Sequence, residues 1–280
     1  MDIGRLAESD FETARLRSLF GRALDALTGH PRRLLSFEEV RERLRLTGPV
    51  YLGVETVPLD RIVGSLNRYR DFDHRFLPTQ SHTYGRWSRV NRAWYRDLHL
   101  PPVLLYKVGE VYFVVDGNHR VSVARAQGLL FIDAEVRECI SRVPLTPDVQ
   151  PEDLERLGSR VEFLERTQID RLRPGSRVET SILGGYDRLL EHIAVHRYYM
   201  GLDLGREIGE AEAVEHWHDT LYLPVVRVVE NSGVLEDLPG RTATDMYLWI
   251  MDHLHYLRSL PGHRDTQARE AARHFIEMIG

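Results

Sequence analysis

Residues 111–128, Val-Tyr-Phe-Val-Val-Asp-Gly-Asn-His-Arg-Val-Ser-Val-Ala-Arg-Ala-Gln-Gly, constrain the fold of this chain more than any other stretch. The β-branched and aromatic run Val111 to Val115 reads as a buried strand, Val121 and Ala124 fall at helical spacing, and Gly128 signals the helix end. Asp116, Gly117, Asn118, His119 and Arg120 therefore sit at a strand-to-helix junction. A helix start exposes unpaired backbone N–H groups and the positive end of the helix dipole, so the natural ligand at such a junction is an anion, most often a phosphate.

The neighbouring segments extend this unit. Val50 to Val57 is strand-like, Pro58 breaks it, and Leu59 to Val63 reads as a short turn or helix. Residues 102–108 form a strand that pairs with Val111–Val115 across Gly109-Glu110 as a hairpin, and Phe131 to Arg137 is a further strand. Ahead of it, Ser9 with Glu12 caps a helix that Gly29 closes, and Ser36 with Glu39 repeats the capping signal. Beyond it, Val143-Pro-Leu-Thr-Pro147 and Gln150-Pro151 interrupt regular structure. Helical spacing then returns over 152–166, 186–200, 209–219 and 242–259, with Thr242 and Asp245 capping the last of these. The expected class is α/β (α+β), a small mixed sheet with helices. Its expected parts are a helical segment 1–48, a ligand-binding domain 49–141, a linker 142–151 and a mainly helical domain 152–280.

Composition narrows the setting. With 280 residues and 42% apolar content, the chain can build one large or two modest cores. No stretch approaches the roughly 20 apolar residues of a membrane span, and the N-terminus lacks a secretory layout, so a cytoplasmic protein without a membrane partner is expected. The single cysteine, Cys139, excludes an internal disulfide framework and suits a core position.

Charge is uneven. Between Arg61 and Leu100 eight arginines face three acids, interleaved with Tyr69, Phe72, Phe76, Tyr84, Trp87, Trp94 and Tyr95. Such a mixture suits phosphates and bases, although charge runs often only solvate a helix face. His192 and His196 are four apart, but Glu191 precedes the pair where a metalloprotease motif places its glutamate after the first histidine, so a polar helix face is expected there. His216, His218 and Asp219 send neighbours to different helix faces and are expected to be structural.

Val57-Pro-Leu-Asp-Arg-Ile-Val63, followed by Val115-Asp-Gly-Asn-His-Arg-Val-Ser-Val-Ala-Arg-Ala-Gln-Gly128, resembles the ParB/sulfiredoxin superfamily over residues 50–138. The nearest motif is that of SerK-type free-serine kinases, Asp-Gly-His-His-Arg, which differs only at Asn118. Asn118 stands where sulfiredoxin has its cysteine, and the kinase glutamate's place holds Gly64 to Asn67. The resemblance implies binding of a nucleoside di- or triphosphate (ATP, ADP or CTP) with Mg²⁺, and phosphoryl transfer to a small-molecule acceptor or hydrolysis. On this pattern Gly117, Asn118, His119 and Arg120 hold phosphate, and Arg68 and Arg70 close over the nucleotide. Asp116 is expected to hold the metal or orient the acceptor and His119 to bond the transferring or bridging oxygen, while Asp71 and Asp73 are candidates for the missing base. The alternative is a nucleotide-gated, DNA-binding regulator of ParB type. No helix-turn-helix is discernible after residue 140, and an oligomer is compatible with either reading.

Overall fold

The computed structural model describes residues 2–27 and 33–279. It is a mixed α/β protein with two compact units, Met1–Leu154 and Glu155–Gly280. No helix among the described residues is long and apolar enough to cross a membrane.

The first unit is built on a six-stranded sheet of β1 (Leu35–Ser36), β2 (Thr47–Pro58), β3 (Ile62–Ser65), β4 (Val103–Val108), β5 (Val111–Asp116) and β6 (Phe131–Ile140). Their spatial order is β1-β3-β5-β4-β6-β2. β3 runs parallel to β5, β4 pairs antiparallel with β5, and β6 lies parallel to β4 and antiparallel to β2. The expected hairpin forms across Gly109-Glu110, and Gly109 takes the left-handed φ of +61° that the tight turn demands.

Burial explains the apolar run. Val111 to Val114 are all buried because both faces of β5 are covered. On one face Val114, with Val103 and Leu105 of β4, packs in a cluster that includes Val121 and Ala124 of α4 (Asn118–Ala126). On the other, Phe113 meets Phe37 of α2 (Phe37–Arg43) with ring centroids 5.5 Å apart. Trp87 of α3 (Tyr84–Tyr95) is fully buried and donates its indole N–H to Ser122 of α4 at 3.0 Å.

Several boundaries depart from the sequence pattern. The first helix, α1, spans Ile3–Leu27, so Ser9 lies inside it; its start is held by the Asp2 carboxylate, which accepts the Gly4 N–H. Gly29, the expected stop, lies outside the described residues. The buried face of α1 is Ala7, Phe11, Ala14, Ser18 and Gly21, whereas Leu16, Leu19, Phe20, Leu24 and Leu27 are exposed. Ser36 occupies the N-cap position of α2 but its side chain makes no capping bond. Leu59–Arg61 is a single 3₁₀ turn, and Ile62 and Val63 belong to β3, since Ile62 pairs with Tyr112. In the segment expected as a linker, Val143 and Leu145 are buried, and the Leu145 carbonyl accepts the N–H of Glu110.

The second unit is helical: α5 (Asp153–Thr167), α6 (Ile169–Leu172), α7 (Gly185–Leu204), α8 (Glu210–Trp217), α9 (Leu223–Ser232), α10 (Ala243–Ser259) and α11 (Ala268–Ile279). Residues His218–Tyr222 form a π-helical turn between α8 and α9. The Thr242–Asp245 capping box is present at α10, although α10 is followed by α11 and is not the final helix. Its core gathers Trp217, Tyr222 and Tyr247, and Trp217 donates to the Tyr247 hydroxyl at 3.0 Å.

Candidate functional site

The junction between β5 and α4 is made by Gly117. Its φ of +101° lies in the left-handed region, and an added Cβ would sit 2.6 Å from Val103 Cγ1. Only glycine meets both demands. The turn ends β5 at Asp116 and opens α4 at Asn118, and the first-turn residues Asn118, His119 and Arg120 line a cleft of about 500 Å³. Arg68, Arg86, Arg89, Arg120, Asp116 and His119 are among its walls.

His119 is the least satisfied side chain of this cleft. Both ring nitrogens are buried and neither has a hydrogen-bond partner, while the ring packs edge-on against Phe72 at 5.5 Å. Burial pulls its pKa down to about 4, and the Arg68 and Arg86 charges push it the same way. The imidazole is therefore neutral at pH 7, with one nitrogen able to donate and one to accept.

Asn118 is buried and anchors the turn, its Oδ1 accepting the Ser65 hydroxyl at 2.8 Å. Ser65 Oγ in turn accepts the backbone N–H of Arg68 at 3.2 Å. One hydroxyl thus ties the end of β3, the loop after it and the head of α4 together.

Arg120 has a different placement from a free phosphate ligand. Its guanidinium donates to the carbonyls of Pro101 and Pro102 and to Asp116 Oδ2, the last at 2.7 Å. It braces the strand-entry loop of β4 against the junction. Asp116 is consequently paired, with its side chain 77% exposed.

The residues expected to close over the ligand separate into two groups. Arg68 reaches the cleft and pairs with Asp71 at 2.9 Å, and Asp71 also lies 3.5 Å from His82 Nε2. Arg70 lies over the Tyr69 ring and, with Asp73, lines a separate pocket beside Leu34, Ser36 and Phe72. Asp73 is buried, and its carboxylate accepts the N–H groups of Arg75 and Leu77 at 2.9 Å, so it organises its own loop.

Arg86 and Arg89 were visible only as part of a basic segment. They stand three apart on α3, reach the cleft together, and have no salt-bridge partner among the described residues. The usable signal was helical spacing in the 84–95 segment, where Trp87, Ser88 and Asn91 form the buried stripe and the arginines the opposite one.

Among the described residues no group of three or more His, Cys, Asp or Glu could hold a metal ion. His192 packs against Tyr247, and His196 bonds His216 at 2.7 Å. No protein-family model and no curated protein matches this chain. The resemblance to the ParB/sulfiredoxin superfamily rests on the motif residues themselves.

Proposed function

We propose that the cleft at the head of α4 binds the phosphates of a nucleoside di- or triphosphate, such as ATP, ADP or CTP, and serves phosphoryl transfer or hydrolysis. The observation that carries this reading is His119, with two buried and unbonded ring nitrogens in a cleft walled by four arginines. An unpaired buried polar group costs stability of about 1–3 kcal/mol, and a phosphate oxygen would satisfy it. Arg86 and Arg89 would neutralise the non-bridging oxygens, the first-turn N–H groups of α4 would bind the terminal phosphate, and His119 would bond the transferring oxygen. Arg120 would act by holding the junction in shape. Asp71 is the carboxylate whose charge acts on His119, which supports it over Asp73 as the group that orients an acceptor hydroxyl.

Mg²⁺ is commonly held by one or two carboxylates, substrate phosphates and water. Asp116, exposed and lining the cleft, fits that role as a single protein ligand. The ion would supply neutralisation of the phosphate charge. A nucleotide ligand and a lone, buried cysteine agree with a cytoplasmic setting.

Calorimetric titration of ATP, ADP, CTP and GTP with Mg²⁺ tests the reading. One nucleotide should bind, and Arg89→Ala and His119→Ala should each weaken it about tenfold or more. Absence of binding to the folded protein, or wild-type affinity in both variants, would remove the proposal.

A nucleotide-gated DNA-binding regulator is the second reading, favoured by the exposed arginines 86, 89, 92 and 96 beside the partly exposed Trp94 and Tyr95. It requires DNA affinity that falls steeply with salt, which a small-molecule kinase lacks.

A further inference from the structure

Ser176, His218 and Asp219 lie wholly within the helical unit and have no part in the phosphate cleft. Ser176 Oγ is 2.8 Å from His218 Nε2, and His218 Nδ1 is 2.8 Å from Asp219 Oδ1. Arg173 clamps the same carboxylate, its Nε 2.9 Å from Oδ1, and also bonds Glu215. The Arg173 hydrogen bonds, and then the one from His218, hold the Asp219 carboxyl below the usual carboxylate range.

The proton positions follow from these contacts. An ionised carboxylate only accepts, so in the neutral imidazole Nδ1 must carry the proton and Nε2 must present its lone pair. Ser176 Oγ is then the donor to Nε2. This is the order of groups that activates a serine: hydroxyl on a basic imidazole nitrogen, with the opposite nitrogen oriented by a carboxylate.

The surroundings keep the serine reachable. Ser176 is half-buried at the end of the turn Arg173–Ser176, which its N–H closes on the Arg173 carbonyl; its neighbours Pro174, Gly175 and Arg177 are exposed, and Gly175 has a φ of +87°. His218 is buried and lies against Tyr222, with ring centroids 5.7 Å apart. It opens the π-helical turn His218–Tyr222, and π-turns inside helical runs occur often at functional sites. The Tyr222 hydroxyl bonds the carbonyl of Arg177, fixing the serine turn against that segment.

We propose that Ser176, His218 and Asp219 form an acyl-transfer site for a surface-accessible carboxylic ester or thioester. Ser176 Oγ attacks the acyl carbon and its proton passes to His218 Nε2. The bond to the leaving alcohol or thiol breaks, and that group takes the proton from Nε2. Water, deprotonated by the same nitrogen, then cleaves the acyl-serine ester and restores the hydroxyl. Ser176 and His218 are the catalytic residues, and Asp219 is a positioning residue that sets the imidazole tautomer.

A fluorophosphonate probe tests the assignment on the full chain without knowledge of the natural ester. Oγ would form a bond to phosphorus, fluoride would leave, and the Oγ proton would go to His218. Intact mass should rise by one probe per chain, and peptide mapping should place it on Ser176. Ser176→Ala should abolish that adduct, and His218→Gln should slow its formation at least about a hundredfold. In Asp219→Asn the plateau rate should fall and the inflection of the rate–pH profile should move to lower pH, which loss of a purely structural bond would not produce. Absence of an adduct on Ser176 in the wild-type protein, an unchanged rate in His218→Gln, or an unshifted profile in Asp219→Asn would overturn the proposal.

Discussion

Ser65 and Asn118, 53 positions apart in sequence, share a buried 2.8 Å hydrogen bond that joins the end of β3 to the first residue of α4. Both side chains are almost wholly shielded from water. Removing the hydroxyl by Ser65→Ala leaves Asn118 Oδ1 and the Arg68 N–H without their partner, which costs about 1–3 kcal/mol. Urea unfolding should show that loss, and nucleotide affinity should fall with it because the head of α4 loses its anchor.

Gly117→Ala should be more damaging. The new methyl group must adopt a φ of +101° and approach Val103 Cγ1 to 2.6 Å. Backbone strain of this kind costs of order 1–3 kcal/mol, and the contact adds to it. Thermal denaturation will read the change, whereas Gly128→Ala, where φ is +75° with nothing within 4 Å, should show the strain alone.

His119 makes stability depend on pH in a definite direction. Its folded pKa is about 4 against 6.5 for the free side chain, so between those values the unfolded chain binds a proton that the folded chain does not. The stability it permits is complete above 6.5 and is lost as pH falls toward 4. Burial also lowers the pKa of His192, His196 and His253, so the informative quantity is a difference. His119→Gln should lose less stability than the wild type between about pH 7.5 and about pH 5 in denaturant titrations. Bound phosphate would raise the His119 pKa, so wild-type nucleotide affinity should increase on acidification across the same interval, and that of His119→Gln should not.

Asp245 is fully buried at the start of α10, where it accepts from Thr180 Oγ1, Ser181 N, Ser181 Oγ and the Thr242 N–H. Burial pushes its pKa up, but the hydrogen bonds from Ser181 and Thr180 outweigh this and the net direction is down. Its contribution is present above the ordinary carboxylate range and is lost as pH falls through its folded pKa. Asp245→Ala should cost roughly 3 kcal/mol, the scale of hydrogen bonds to a charged group. Chemical denaturation near neutral pH should register that cost, and the difference from wild type should narrow in acid.

Some local signals in the sequence carry over and others do not: Ser9 lies inside α1 and the Ser36 side chain makes no capping bond. The β-branched run 111–115, the Gly109-Glu110 turn and the Thr242–Asp245 box each act over a few residues, and each recurs in the structure. The order of the strands depends on partners far apart in the chain, as in Ile62 beside Tyr112, and no local pattern encodes it. Placement of the cleft residues divides in the same way. The Asp116–Arg120 turn was readable because strand, glycine and helix follow one another, whereas the segment 68–80 folds by bonds among its own members. Asp73 is used on Arg75 and Leu77, Phe72 bridges Pro78, and Arg70 lines a pocket separate from the one His119 lines. Arg86 and Arg89 reach the cleft because the burial of Trp87 fixes the rotation of α3. The spacing of His218 and Asp219 points to different helix faces, yet their side chains are hydrogen-bonded at 2.8 Å at the head of the π-helical turn.

Arg86 and Arg89 of α3, without a salt-bridge partner among the described residues, would let the cleft act as a small ion exchanger. Like charges three residues apart repel, and the solution supplies a counter-ion wherever the protein does not. A phosphate ligand of the kind proposed would therefore compete with such counter-ions, and its apparent affinity would be a comparison with them. Chloride, sulfate and phosphate buffers would each set a different baseline, so the preference measured among ligands would depend as much on the medium as on the base or sugar they carry.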